Sequence, residues 1–267
     1  MHDLLSLYAS LGAFAGVAQL AYFAVAFYVG GLLFVRGRRA GEWTQWILGL
    51  HLILSMGVGY LLTLSGTTSV EFGAPLPPVW LAWIVGTGYA ATNIGLTLTI
   101  HFTRRVFRPG RGAAFAYASV SGAALWLGWL GYVVSGDVAQ ARFEGTWYWV
   151  MVLGMFATNS WVAFEPLVYF TRLRRRVRLG LAEPLVAERM LLWGCGSLAR
   201  ASLTFAGPIA KAFLDGRGEA ERLSAGAVVL VVTTLLGLVT SVTYWLAFQP
   251  PRVYLRWVAA RAAKRSA

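Results

Sequence analysis

Residues 147–178 read WYWVMVLGMFATNSWVAFEPLVYFTRLRRRVR. The first 25 of them carry a single charge, Glu165, and the last seven carry five arginines. A helix needs roughly 20 predominantly apolar residues to cross a bilayer. Short loops rich in Lys and Arg stay on the cytoplasmic side. This one stretch therefore has both the length of a membrane span and a direction: it enters from outside and leaves inside. Strands of a membrane barrel would be about ten residues long and would alternate apolar with polar. Residues 147–171 do neither.

Outward from this run the pattern repeats. Further apolar stretches lie at about 5–35, 44–66, 78–102, 113–136, 185–213 and 223–249. Turn and charge signals separate them: Arg36 to Arg39, Gly73 to Pro78, Arg108 to Arg111, Gly136-Asp137, Arg174 to Gly180, and Asp215 to Gly218. Composition agrees. The 267-residue chain is 58% hydrophobic and 13% charged, where soluble proteins average about 45–50% and about 25%. A disordered chain, a disulfide scaffold and an ordinary cytosolic enzyme are excluded. The expected fold is all-α: a polytopic membrane protein with a seven-helix transmembrane domain over 1–249 and a basic cytoplasmic juxtamembrane tail over 250–267.

Charge sets the orientation. Arg36, Arg38 and Arg39 follow the first run, and Arg104, Arg105, Arg108 and Arg111 follow the third. Arg172 to Arg178 follow the fifth, and Arg252, Arg256, Arg261, Lys264 and Arg265 follow the seventh. Asp3, Glu71, Asp137, Glu144, Asp215, Glu219 and Glu221 fall on the other side. The N-terminus is expected outside and the C-terminus inside. The first run has no basic leader and is too long for a signal peptide, so it is expected to remain as a helix. Trp43 and Trp46 fit the inner aromatic belt, and Trp80, Trp147 and Trp149 the outer one. The net charge of +12 reads as topology and contact with anionic headgroups rather than as a nucleic-acid surface. Arg, Ala and Gly richness with compact loops points to a bacterial inner membrane.

Several chemistries are disfavoured. The single cysteine, Cys195, permits no internal disulfide and no multi-cysteine metal site. A bis-histidine haem would need His51 and His101 at one height, yet helical rise places them at depths of about 10 and about 3 Å. A retinal Schiff base would need a lysine in the last span, and the only lysines are Lys211 and Lys264. Hydrolase, metalloprotease and phosphate-loop motifs are lacking. No enzyme activity, metal or cofactor is expected.

Polar residues inside the spans carry the functional reading, because ionisable groups there are costly. Arg200 and Glu165 are the two charges deepest in the spans, and Pro166 should loosen the helix beside Glu165. Helical rise puts Glu165 roughly 8–10 Å and Arg200 roughly 15–18 Å from the inner interface. Because side chains tilt toward a helix's N-terminus, an Arg200–Glu165 ion pair is one expectation. The alternatives are Arg200 facing a wet cavity and Glu165 pairing with Arg189 or Arg172. Asn159, Asn93, His51, Ser241 and Thr243 fall at neighbouring depths, so a polar layer of Arg200, Glu165, Asn159, Asn93 and His51 is the candidate ligand-binding or switch region. Trp126, Trp129 and Trp161 are candidates for lining an apolar pocket. Gly12-x-x-x-Gly16 and the set Gly86, Gly88, Gly95 are candidate close-contact surfaces.

The last run ends Leu246-Ala247-Phe248-Gln249-Pro250-Pro251-Arg252-Val253-Tyr254-Leu255-Arg256-Trp257. Its Phe-x-Pro-Pro-Arg junction resembles the close of the multi-helix membrane sensor region in some bacterial histidine kinases and related signalling proteins. That resemblance covers about a dozen residues and implies a sensing role with output through the last helix. No kinase, cyclase or phosphodiesterase domain follows Trp257, so output is expected to need a cytoplasmic effector or a membrane subunit. The expected function is a receptor-like sensor. A small transporter and an accessory subunit of a larger membrane complex are the alternatives.

Overall fold

The computed structural model describes residues 2–71, 74, 76–140, 143–214 and 219–266, with side chains over 10–70, 74, 76–140, 143–209 and 225–261. The side chains of Asp3, Glu71, Lys211, Glu219, Glu221, Lys264 and Arg265, and the whole Asp215–Gly218 turn, lie outside the described residues. The chain is helical throughout, with no strand among the described residues. In order come α1 (His2–Ala40), α2 (Trp43–His51), a π-helical stretch (Leu52–Val58), α3 (Gly59–Glu71) and α4 (Pro78–Phe107). Then follow α5 (Gly112–Val134), a 3-10 turn (Asp137–Gln140), α6 (Thr146–Arg178), α7 (Pro184–Leu214), α8 (Glu219–Phe248) and α9 (Arg252–Ser266). The backbone at the junctions His51, Leu52 and Gly59 stays right-handed helical, so α2, the π stretch and α3 form one rod.

Five stretches are long and apolar enough to cross a membrane: Ser10–Ala40, Trp43–Val70, Gly112–Val134, Thr146–Arg178 and Ala225–Phe248. The other two long helices are α4 and α7. Their lower apolarity has a physical origin. α4 is the central rod, packed against α2, the π stretch, α3, α5 and α6. Its buried face carries Gly86, Gly88, Asn93, Gly95, Thr99 and Thr103, small and polar residues that suit close helix contact. α7 carries Glu188, Arg189 and Arg200. Around α4 the order runs α5, α6, α7, α8, and α8 returns to pack on α1, which packs on α2. Outward faces remain apolar: Leu20 is 69% exposed, Val120 70% and Val228 63%. Faces this apolar are what a lipid-contacting bundle presents.

α6 stays helical through Pro166 and seven residues past the apolar run, because its arginines continue the helix into water. It ends in a Schellman turn: the Leu181 amide donates to the Arg176 carbonyl at 2.9 Å and the Gly180 amide to Val177 at 3.1 Å. Gly180 has φ +69° there, a conformation that costs a non-glycine residue free energy.

The closest rod contact pairs α1 with α2. A Cβ on Gly49 would stand 2.5 Å from the Gly30 carbonyl oxygen and still nearer the Phe34 amide. Gly49→Val must therefore separate the two rods, and overpacking of this kind costs about 1–3 kcal/mol. The expected outcome is a lower melting temperature in detergent, and an unchanged Tm would refute the backbone contact. Gly12 and Gly16 do not make such a contact. Nothing lies within 4 Å of a Cβ built on either, because α1 packs through Gly30 and Gly37 further along.

Candidate functional site

The rods resolve the expected polar layer into separate groups. The deepest centres on Arg200, which is 6% exposed. Its Nη2 donates to Ser55 Oγ on the π stretch. Its Nη1 has no hydrogen-bond partner among the described residues. No carboxylate among them is in ion-pair contact with it. Tyr22, His51 and Tyr244 stand within electrostatic range of the guanidinium. Tyr244 is held by Ser197, with 2.9 Å between the hydroxyls.

Local backbone explains why Ser55 reaches this point. A Cβ on Gly95 would stand 2.6 Å from Ser55 Cβ, so only glycine lets the π stretch lie this close to α4. The Gly95 carbonyl faces His51 Nδ1 at 2.9 Å and accepts from Thr99 Oγ1 at 3.1 Å. A carbonyl only accepts, so Nδ1 of His51 carries the proton. His51, Gly95, Ser55 and Arg200 thus form one connected series across α2, α4, the π stretch and α7.

Glu165 belongs elsewhere. Arg108 Nε donates to its Oε1 at 2.8 Å and its Oε2 at 3.0 Å, and Trp161 Nε1 donates to Oε1 at 3.0 Å. The expected Arg200–Glu165 pair is therefore absent, and neither Arg189 nor Arg172 replaces it. The two charges sit at different depths. Arg108, at the end of α4, has a long side chain that reaches back to the carboxylate. Glu165 also lines a cavity of about 630 Å3 at the arginine-rich end of the bundle.

The asparagines are helix fasteners. Asn93 Nδ2 donates to the Leu125 carbonyl at 3.0 Å, joining α4 to α5. Asn159 donates to Met155 at 3.0 Å and to Thr204 Oγ1 at 3.4 Å, one turn beyond Arg200. Ser241 and Thr243 bond to carbonyls of their own helix. The tryptophans likewise act as rivets rather than pocket walls: Trp126 donates to Thr97 Oγ1 and Trp129 to the Gly86 carbonyl. Among the described residues no three His, Cys, Asp or Glu side chains come together.

No known family model, curated protein or solved structure matches this chain. Sequence reading found Arg200 and His51 but missed Ser55, Tyr22, Tyr244 and the role of Arg108. Ser55 was the one findable signal, as the only hydroxyl in the apolar run Leu52 to Val58.

Proposed function

We propose that this chain is a multi-pass protein of a bacterial inner membrane, crossing it seven times with the N-terminus outside, and that it works as a receptor-like sensor. For topology, the support is the charge pattern together with the position of α4 and α7. These helices have 30 and 31 residues, long enough to span, and lie within the same bundle as the five apolar rods. For sensing, a single observation carries the reading: a buried arginine that has no acidic partner among the described residues holds the one π-helical stretch found among them. π insertions appear frequently at functional sites. A π stretch can relax to α-helix by shifting its register, which rotates everything beyond it. Two such arrangements, biased by the Arg200–Ser55 bond, supply the bistable element a receptor needs. Tyr244, within range of Arg200, stands on α8 one turn before Phe248 and the tail, so the same element has a route inward.

Two experiments test this. In a Cys195→Ser background, Glu144→Cys should react with a membrane-impermeant maleimide on intact cells and Leu181→Cys only after permeabilisation. The reverse pattern overturns the orientation. A fluorophore at Arg256→Cys should report two populations of the tail in nanodiscs, and Ser55→Ala should change their ratio. One population, unchanged by Ser55→Ala, overturns the sensor reading, and substrate flux into proteoliposomes would favour transport instead.

A further inference from the structure

The cavity at the arginine-rich end is walled by α1, α2, α4, α6, α7 and α8 and holds about 630 Å3, a size typical of small-molecule sites. Its two zones differ in chemistry. The floor is aromatic: Trp193 lies 5.5 Å from Phe102, 5.8 Å from Phe107 and 6.0 Å from Phe248, centroid to centroid. The wall carries Arg36, Arg172 and Arg189. No carboxylate among the described residues is in ion-pair contact with these three, and Arg189 Nε is buried without a hydrogen-bond partner. The cavity's own carboxylate, Glu165, is already neutralised by Arg108. Three uncompensated guanidinium groups thus face one apolar-floored space. Arginine is the side chain suited to phosphate, through planar paired donors.

We infer that this cavity is a binding site for a phosphate-bearing amphiphile, its phosphate held among Arg36, Arg172 and Arg189 and its apolar part seated against Trp193 and its neighbours. Anionic phospholipids and soluble phosphate esters with an aromatic group share this chemistry. The inference does not rest on the sensor reading, because the test below measures binding alone.

The test uses the full chain in phosphatidylcholine nanodiscs. One arm adds a trinitrophenyl-substituted adenosine nucleotide as the soluble probe and follows its fluorescence. The other replaces part of the lipid with phosphatidylglycerol and counts retained lipid by native mass spectrometry. At least one arm should show saturable binding. Arg172→Gln and Arg189→Gln together should weaken it by at least roughly tenfold, about the loss of 1.4 kcal/mol. Arg174→Gln with Arg176→Gln, equally basic but off the cavity, should leave it within about twofold. Binding in the first arm alone identifies a soluble ester and in the second a lipid, and either supports the site. No saturable binding in both arms overturns it, as does equal weakening by the off-cavity pair, which would mean surface attraction only. Should the double variant fail to fold, Arg172→Gln alone decides by the same criterion, since Arg172 is exposed.

Discussion

Ser55→Ala and Arg200→Met are expected to move the stability of the purified bundle in opposite directions. Ser55→Ala removes the one hydrogen-bond acceptor that Arg200 has among the described side chains. The guanidinium stays buried, and Nη2 then joins Nη1 in having no hydrogen-bond partner among the described residues. Hydrogen bonds to charged groups contribute about 1.5–3 kcal/mol, so a loss near 2 kcal/mol is expected. Arg200→Met removes the charge itself and keeps most of the volume. Replacing buried ionic groups by apolar side chains of similar size is neutral or stabilising by about 1–4 kcal/mol. An arginine with no carboxylate partner among the described residues should sit at the favourable end of that range. Thermal unfolding in detergent, followed by tryptophan fluorescence, reads both. If Arg200→Met proves the more damaging of the two, Arg200 is a structural bolt and the switch assigned to it fails.

These residues also mark what the sequence could and could not convey. Apolar run length and arginine-rich exits are properties of the chain alone, and the helices follow them closely. Residues 113–136 became Gly112–Val134 and 78–102 became Pro78–Phe107. Gly88 and Gly95 of α4 were legible as contact residues for the same reason, and both meet neighbouring backbone, whereas Gly86, read the same way, has only the side chains of Val138 and Val133 near it, at 3.8 and 4.0 Å. The π stretch was not legible. It lies against a helix 40 residues away, where Gly95 leaves the space that Ser55 occupies. Depth counting by helical rise found Arg200 and Glu165 but treated depth as proximity. Arg108 escaped because Arg108-Pro109 is a helix stop, and a stop signal says nothing about where a side chain six bonds long comes to rest.

Arg108→Ala is expected to be worse than Glu165→Gln, although each breaks the same ion pair. The Glu165 side chain is 7% exposed and that of Arg108 23%. Truncating Arg108 strands a buried carboxylate with only the Trp161 indole donating to it. Removing one partner of a buried pair costs about 3–5 kcal/mol. Glu165→Gln instead leaves a neutral amide whose oxygen still accepts from Trp161, while Arg108 has an exposed route to water. Its loss should be nearer 1–1.5 kcal/mol, about that of an ordinary hydrogen bond. The double variant should then be more stable than Arg108→Ala alone, because neutralising Glu165 removes the stranded charge. A double-mutant cycle on unfolding free energy measures this coupling. Arg172→Ala and Arg189→Ala serve as controls and should show no coupling to Glu165→Gln. If Arg189→Ala couples and Arg108→Ala does not, the carboxylate's partner has been misassigned, and the cavity wall keeps two uncompensated guanidinium groups rather than three.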